Sequence, residues 1–361
     1  MRLFCYVKID FLVFTYVKLP RKGTLFAFTR IYACSFCIVA CIICGRIEQH
    51  GQFVFSCRLI KQIDIQKKGM NTMKSITARN FRILCDFMDV YQFMTDIYER
   101  NWQNGVPAPF FEYALSSDWM DKSYTHRYRI WEDNGKIVAF CFTENPVNHI
   151  YFSIRPGYEF LAEEMVAYSE NHMPRINGKH TYVLFDGQET SQNAVFNAGY
   201  TKSWGYNEMI YDFKRPLSYP LPSGFKFEEY GNLNTEKVTE CCWKGFDHEK
   251  TEGPWDGDAE NEYHILAAPH YTPHAVAVKN QAGDYVCYAG MWWTPENKLA
   301  YMEPLCTVPQ FRGKGLAAAA LSEMYRRMKS LGATHMTGGG DPFYAAIGFQ
   351  PCIEWTYWEK K

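Results

Sequence analysis

The sequence lacks a net charge that could attract a polyanion. Its 361 residues include 38 lysines and arginines and 39 aspartates and glutamates, for a formal charge of −1 at pH 7. No stripe of basic residues runs through the body of the chain, whereas proteins that bind nucleic acid need such a stripe to neutralise phosphates. We therefore expect no nucleic-acid partner.

The sequence also lacks the cysteine and histidine spacings of a disulfide framework or a zinc site. Seven of the 13 cysteines lie beyond residue 69, and they include the adjacent Cys241 and Cys242 but no CxxC pair. Four histidines near the start of the second half follow no ligand spacing: His248, His264, His270 and His274. We expect reduced core thiols, no metal and a cytoplasmic protein.

No hydrophobic run is long enough for a membrane span. The most apolar stretch, residues 31–44, is shorter than the roughly 20 residues that a span needs. It also starts too far into the chain for a signal peptide and lacks a clear cleavage site. Its four cysteines, Cys34, Cys37, Cys41 and Cys44, have no second ligand pair on a separate turn, so a metal cluster is not indicated.

The first 69 residues differ in composition from the rest of the chain. They hold 11 lysines and arginines against 3 acidic residues, and six of the 13 cysteines. A chain of ordinary cytosolic composition begins at Met70 or Met73. We therefore expect residues 1–69 to be a poorly structured N-terminal extension that arises from a mis-assigned start. A membrane-anchoring segment and a genuine additional subdomain are the alternatives.

Length and composition predict two globular domains. The chain exceeds the roughly 250 residues at which a single core stops growing, and 47% of its residues are apolar. Pro216, Pro220 and Pro222 fall close together, and proline favours the extended, unpaired backbone of a linker. We place a linker at residues 215–224, between domains at 75–214 and 225–361.

Hydrophobic periodicity predicts the same order of elements in both domains. In the first we predict a strand at 81–88, a helix at 91–102, strands at 127–132 and 136–143, a strand at 150–154, a helix at 158–171, a strand at 181–185, a helix at 191–198 and a strand at 207–213. In the second we predict a strand at 226–230, a helix at 235–246, strands at 274–279, 285–293 and 299–306, a helix at 313–331, a strand at 335–337, a helix at 342–347 and a strand at 353–358. This repetition indicates a tandem duplication of a mixed α/β unit.

One motif in the second domain points to chemistry. The strand at 299–306 leads into Gln310-x-x-Gly313-x-Gly315, which opens the long helix. Glycines at a helix start let backbone N–H groups approach a ligand, and the positive end of the helix dipole favours a pyrophosphate there. A dinucleotide-binding fold would need several further βαβ units, and too few residues remain for them.

This motif resembles the Gln/Arg-x-x-Gly-x-Gly/Ala signature of the Gcn5-related N-acetyltransferase (GNAT) family. A later segment, Asp341 to Phe349, matches the family's tyrosine before a Gly-Phe pair, here Tyr344 before Gly348-Phe349. The resemblance implies two tandem GNAT-like domains, each a mostly antiparallel mixed sheet with a splayed central strand flanked by helices. It implies acetyl-CoA as the cofactor and catalysis in the domain at 225–361.

The resemblance also implies roles for individual residues. Tyr344 is the candidate general acid, and Glu303, on the strand before the motif, is the candidate base or a ligand of a cationic substrate. The acceptor pocket is expected to be lined by Trp292, Trp293, Tyr301 and Glu303. The coenzyme is expected to be bound by Leu305, Cys306, Thr307, Val308, Gln310, Phe311, Arg312, Gly313, Lys314, Gly315, Leu316, Ala317 and Tyr344.

The domain at 75–214 lacks this signature. The corresponding segment, residues 154–161, has a single glycine, Gly157, and an acidic residue, Glu159, at the helix start. A carboxylate there would repel a diphosphate. We expect a degenerate GNAT-like domain that does not bind the coenzyme and that shapes the acceptor pocket or supports its neighbour.

The expected activity is acyl-CoA-dependent N-acyltransfer, with acetyl the expected group, to the amine of a small molecule or peptide. A non-catalytic module that senses acyl-CoA or docks a partner is the alternative. Neither a metal nor a membrane is expected to take part.

The expected extension leads to a direct test. A chain that starts at Met70 should be as soluble and as active as the full-length chain, because residues 1–69 are expected to pack against nothing. Yield, thermal unfolding and acetyl transfer to a panel of amines would be compared for the two chains. Insolubility or loss of activity in the shorter chain would contradict the expectation.

Overall fold

The computed structural model describes residues 75–271 and 273–360, together with the backbone of four strands nearer the N-terminus. The chain divides into two compact units, Met1–Met73 and Lys74–Lys361. In the first unit, four strands form an antiparallel sheet in the order β1-β2-β3-β4: β1 (Leu12–Val17), β2 (Leu25–Cys34), β3 (Cys37–Ile47) and β4 (Phe53–Arg58). The other residues of the expected extension lie outside the described part of the chain, and its dispensability stays a prediction.

The second unit contains both predicted domains. The elements of the first are β5 (Ile76–Asn80), α1 (Ile83–Asp96), α2 (Ala108–Ser116), β6 (Arg129–Asp133), β7 (Lys136–Thr143), β8 (His149–Ile154), α3 (Ala162–His172), β9 (Thr181–Phe185), α4 (Glu189–Asn197) and β10 (Thr201–Asp212). Those of the second are β11 (Lys226–Phe227), α5 (Thr235–Gly245), α6 (Glu260–Leu266), β12 (Val276–Lys279), β13 (Tyr285–Thr294), β14 (Leu299–Thr307), α7 (Leu316–Ser330), β15 (His335–Thr337), α8 (Pro342–Ala346) and β16 (Gln350–Glu359).

All strands of this unit join one twelve-stranded sheet in the order β11-β12-β13-β14-β15-β10-β16-β9-β8-β7-β6-β5. Neighbouring strands pair antiparallel except at β8–β9 and β14–β15, which pair parallel. The mixed sheet flanked by helices confirms the predicted fold class.

The two halves exchange their last strands. β10, which ends the first half, pairs with β15 of the second half, and β16, which ends the second, pairs with β9 of the first. β10 and β16 also pair with each other from Thr201↔Glu359 to Ile210↔Gln350. Each half of the sheet is therefore completed by a strand from the other half.

Local sequence explains several of the element boundaries. Asn134 and Gly135 have φ values of 51° and 78°, which two-residue hairpin turns between strands such as β6 and β7 require. The Asn234 side chain accepts a hydrogen bond from the Lys237 amide at 2.8 Å and caps α5. Asp341 caps α8 in the same way, through the Phe343 amide at 2.8 Å.

The strand predicted at residues 81–88 is wrong, because most of this segment belongs to α1. Val90, Phe93 and Met94 recur at helical spacing and are buried, while Asp86 accepts a hydrogen bond from the Arg82 amide at 2.7 Å at the start of the helix. The short helices α2 and α6 and the strand β5 were not predicted. α2 buries apolar residues around most of its circumference, which removes the amphipathic signal.

The strand exchange predicts that the halves cannot fold apart. Residues 225–361 expressed alone should be insoluble or lack cooperative unfolding, because β15 loses its neighbour β10 and β16 loses both of its neighbours. Circular dichroism and gel filtration would compare this fragment with residues 74–361, which serve as the control. A soluble 225–361 fragment that unfolds cooperatively would contradict the expectation.

Candidate active site

The glycine motif forms an open turn at the start of α7. Gly313 and Gly315 have φ values of 74° and 81°, a conformation that L side chains rarely adopt. A Cβ atom added to either glycine would meet no heavy atom within 4 Å. The helical hydrogen-bond ladder begins where the Ala319 amide donates to Gly315 O at 3.0 Å, so the amides just before it have no helical acceptor. Such a turn can bind an anionic group.

The two charged side chains of the turn, Arg312 and Lys314, differ in their contacts. The Arg312 guanidinium donates to Thr307 O at 3.0 Å, to Asp247 at 3.0 Å and to Gly245 O at 2.7 Å, so it fastens the turn to the end of α5. Lys314 is exposed, with Nζ 4.8 Å from the centre of the Phe311 ring. The backbone, with Lys314, is therefore the part of the turn that can meet a diphosphate.

β14 and β15 separate after a short stretch of parallel pairing. The paired residues are Leu299↔His335 and Ala300↔Met336. β15 ends at Thr337, whose hydroxyl accepts from the Met302 amide at 2.8 Å, whereas β14 continues to Thr307. The remaining part of β14 thus borders an opening opposite residues 338–340.

The predicted coenzyme-binding residues of β14 alternate between the surface and the core. Leu305 and Thr307 are partly exposed. Cys306 is buried against α5, where its Sγ lies 3.9 Å from Cys241 Sγ and 3.9 Å from Cys242 Sγ. Of these three β14 residues, only Leu305 and Thr307 are therefore partly accessible to a ligand.

Tyr344 lies on α8, and its ring packs against the glycines that follow β15. A Cβ atom at Gly339 would be 2.8 Å from Tyr344 Cε2, so the ring and this backbone can approach only because Gly339 has no side chain. Burial raises the pKa of Tyr344, and the charge of Glu303 raises it further. The hydroxyl therefore keeps its proton at neutral pH.

A cavity of about 560 Å³ lies between the two halves of the sheet. Its wall combines residues of α2, the exchanged strands, β14 and the glycines after β15. The lining residues are Phe110, Tyr113, Trp119, Glu144, Asn145, His149, Tyr151, Trp204, Tyr206, Glu208, Tyr301, Glu303, Gly338, Gly339, Gly340, Trp355 and Tyr357. Pockets of about 300–1,000 Å³ are typical of small-molecule sites.

Three glutamates in this wall have raised pKa values. Desolvation raises the pKa of Glu303 to about 7. Desolvation, followed by the charge of Glu303, raises the pKa of Glu208 to about 8, although Trp355 Nε1 donates to it at 2.9 Å. Desolvation also raises the pKa of Glu144 to about 7; the 3.1 Å hydrogen bond from Tyr151 lowers it and the charge of Glu303 raises it.

Aromatic rings from the exchanged strands stack along the cavity. Trp204 of β10 lies parallel to Tyr357 of β16, with ring centres 3.9 Å apart and an interplanar angle of 7°. Tyr206 and Trp355 repeat the arrangement, with ring centres 5.5 Å apart and an angle of 12°. The cavity therefore has a continuous aromatic face that depends on the strand exchange.

The structure places two of the four expected acceptor-pocket residues in the cavity. Tyr301 and Glu303 line it, but Trp292 and Trp293 do not. Trp292 is fully buried, and its indole N–H donates to Glu303 O at 3.2 Å. Trp293 is the next residue of β13 and points to the opposite face of the sheet.

The sequence analysis missed Glu144, Glu208 and the aromatic face. A signal was present for the two glutamates. Glu208 directly precedes the apolar run Met209 to Tyr211 of β10, and Glu144 directly follows the apolar strand β7. A charged residue in such a position is uncommon unless it has a partner or a ligand.

The corresponding segment of the first half has an acidic side chain beside its single glycine. Both Glu159 carboxylate oxygens lie 2.9 Å from the Gly157 amide, at the place that corresponds to the glycine turn. The Gln188 side chain bridges β8 and β9, donating to Phe152 O at 3.0 Å and accepting from the Phe185 amide at 3.0 Å. In the first half, side chains of the protein itself thus bond to backbone groups at these places.

Two further findings concern the described part of the chain. Across residues 75–271 and 273–360, no helix has both the length and the apolar character that crossing a membrane requires. Over the same residues, no three histidine, cysteine or acidic side chains come together as a potential metal site.

Comparison with known proteins identifies a domain in the second half of the chain. Residues 237–349 match the family described as Acetyltransferase (GNAT) family, so the chain carries a GNAT domain. This confirms the resemblance drawn from the glycine motif. Enzymes of this family use acetyl-CoA and act on amines. No curated protein matches the chain in sequence.

Solved structures show the same fold. A tandem GNAT protein from the clavulanic acid biosynthesis pathway is 12% identical, with a TM-score of 0.52, and the match covers 79% of this chain and 98% of that chain. A GNAT-family acetyltransferase from Colwellia psychrerythraea is also 12% identical, with a TM-score of 0.51 and coverage of 79% and 100%. At this identity the similarity establishes the fold alone.

The raised pKa values of the cavity predict how stability depends on pH. The folded state keeps a proton on Glu208 up to a pKa of about 8, whereas the ordinary value is 4.5. The contribution of Glu208 to the free energy of unfolding is therefore largest at low pH. It is lost as pH rises through the pKa that Glu208 has in the folded state. Between pH 6.5 and 8.5 Glu208 alone should lower the free energy of unfolding by on the order of 2 kcal/mol.

Chemical denaturation of the ligand-free protein at these two pH values would measure the effect. Glu208→Gln should reduce the decrease without abolishing it, because Glu144, Glu303 and Glu262 also titrate near pH 7. Glu163→Gln, at an exposed position of α3, is the matched control and should leave the decrease unchanged. Equal slopes for all three proteins would contradict the assignment.

Proposed function

We propose that this protein is an acetyl-CoA-dependent N-acetyltransferase that acetylates an amine of a small molecule. The observation that carries the proposal is the position of Glu303. Its carboxylate stands in the wall of the cavity, and its strand, β14, leads directly into the open glycine turn of α7. One strand therefore connects an acceptor-sized cavity with a phosphate-binding turn.

The residues present fit the coenzyme. Backbone amides of Arg312, Gly313, Lys314, Gly315, Leu316 and Ala317 would hold its pyrophosphate, with Gln310 and Phe311 at the approach to the turn. The backbone of Leu305 to Val308, in which Leu305 and Thr307 are partly exposed, would hold the pantetheine arm. The first turn of α7 has no acidic residue to repel the diphosphate. When bound, the coenzyme supplies an activated acyl group as a thioester.

Glu303 is the proposed general base. An ammonium group must lose a proton before its nitrogen can attack a carbonyl carbon. A carboxyl group with a pKa of about 7 is substantially ionised at neutral pH and is still basic enough to accept that proton. The surrounding desolvation that raises this pKa is thus suited to the role.

Tyr344 is the proposed general acid. Its raised pKa keeps the hydroxyl protonated, so a proton is available at Oη when a thiolate leaves. In the overall reaction the nitrogen–carbon bond forms and the carbon–sulfur bond breaks. The ammonium nitrogen loses two protons in all. Glu303 accepts the first before the attack and passes it to solvent, and the second, lost as the nitrogen–carbon bond forms, replaces the proton that Tyr344 gives to sulfur.

We propose that the first half contributes to the acceptor cavity and does not bind the coenzyme. Phe110, Tyr113 and Glu144 belong to this half and line the cavity. The Glu159 carboxylate on the Gly157 amide and the Gln188 bridge support the absence of a second coenzyme site. Both groups would have to move before a diphosphate and a pantetheine arm could enter.

Substitution of the proposed base and acid tests this function. Glu303→Gln should lower kcat/KM for acetyl transfer at least about 100-fold, within the range typical of general base catalysis, because the amide cannot accept the proton. Tyr344→Phe should lower kcat without preventing coenzyme binding. Release of free coenzyme thiol would be followed with a panel of small amines, with Glu163→Gln as the control.

Calorimetric titration with acetyl-CoA would separate binding from catalysis. We expect one acetyl-CoA per chain for the wild-type protein and for Glu303→Gln. Unchanged turnover in both variants would exclude these roles. Tight coenzyme binding with no acetylation of any amine would instead favour an acyl-CoA sensor.

A further inference from the structure

The cavity between the halves has an unusual balance of charge. Of its 17 lining residues, three are glutamates and nine are aromatic, and none is a lysine or arginine. His149 is the one lining residue that could become cationic, and burial lowers its pKa below the ordinary value. Any charge that these glutamates place in the wall when they ionise is therefore negative.

These glutamates have few partners within the described part of the chain. Glu208 accepts one hydrogen bond from Trp355, and Glu144 accepts one from Tyr151. Among the described residues, the Glu303 carboxylate makes no hydrogen bond or ion pair, although burial removes it from water and raises its pKa. Carboxylates removed from water are costly unless they are paired, so the wall is suited to a ligand that brings positive charge.

The aromatic face favours the same kind of ligand. The face of an indole or phenol ring attracts a cation, most strongly where water is excluded. Trp204, Tyr206, Trp355 and Tyr357 form a stacked row beside Glu208, and Trp355 also donates the hydrogen bond that holds that carboxylate. Methylene groups between two ammonium groups could pack on these rings.

The three carboxylates come from different parts of the fold. Glu303 lies on β14, next to the opening that borders the coenzyme turn. Glu144 follows β7 in the first half, and Glu208 lies on the exchanged strand β10. Glu303 can therefore face the nitrogen that reacts while the other two carboxylates meet a second charge.

We propose that the acceptor is a small amine with at least two positive charges, a diamine or polyamine, whose reacting nitrogen faces Glu303 while Glu144 and Glu208 bind a second ammonium group. This rests on the proposed acetyltransferase function and specifies its substrate class. The 560 Å³ cavity has room for a short aliphatic chain with several amino groups.

Binding of simple amines to the full chain without acetyl-CoA tests the proposal. The probes are 1,4-diaminobutane, spermidine and, as the singly charged match, butylamine. Quenching of tryptophan fluorescence would report binding, because Trp204 and Trp355 line the cavity. We expect 1,4-diaminobutane and spermidine to bind at least about 10-fold more tightly than butylamine, given that one well-placed charge pair contributes on this scale.

Variants of the cavity test where the second ammonium group of the ligand binds. Glu144→Gln should weaken binding of 1,4-diaminobutane about 10-fold and leave that of butylamine unchanged, whereas Glu163→Gln should change neither. Should Glu144→Gln fold poorly by circular dichroism, Trp204→Leu gives a second test at a half-exposed position, and it too should weaken the diamine selectively.

Equal affinity for 1,4-diaminobutane and butylamine, or an equal loss of both in Glu144→Gln, would overturn the proposed substrate class. Acetylation of butylamine with the same kcat/KM as the diamine would also overturn it and would leave the acetyltransferase function intact. Selective diamine binding with no acetylation would support the cavity's specificity while contradicting the reaction.

Discussion

The pairing of β10 with β16 is the constraint on which the rest of this structure depends. Each strand ends one half of the chain and lies in the sheet beside the other half. Their shared ladder runs for most of both strands and joins two six-stranded sets into one sheet. Because this pairing runs between the two halves, we expect them to unfold as one unit, and the proposed division at residues 215–224 stays a prediction.

The same pairing creates the candidate acceptor cavity. Trp204, Tyr206 and Glu208 arrive on one exchanged strand, and Trp355 and Tyr357 arrive on the other. The glycine turn of α7, by contrast, is built from residues local in sequence. Coenzyme binding is thus expected to depend on one half, whereas recognition of the acceptor depends on both.

The sequence predicted the features that depend on residues close together in the chain, and it did not predict those that depend on pairing between distant residues. The bounds of β7, β9 and β15 were predicted as the structure has them, because alternating or continuous apolar runs and a hairpin turn are local signals. The glycine turn could be predicted equally well, because its residues are close together in the sequence. The identity of the strand beside β15 was not, since pairing between residues more than a hundred positions apart leaves no periodic trace.

The same reasoning explains the site residues. Glu303 was predicted because it lies on the strand that enters the motif, and Tyr344 because it precedes a Gly-Phe pair; their catalytic roles stay proposals. Glu144 and Glu208 belong to no sequence motif. They become part of a site only because the exchanged strands bring them to one cavity. Trp292 was expected in the pocket wall, but its position on β13 makes it part of the core.

The exchanged C-terminal strand also affects the order of events during synthesis. β9 emerges from the ribosome well before β16, and until β16 is synthesised the edge of β9 lacks the strand that covers it in the native sheet. An apolar edge left open in this way can pair with other chains. β9 is buried throughout its length in the folded protein, so nascent chains would depend on rapid synthesis of β16 or on chaperones for protection from aggregation.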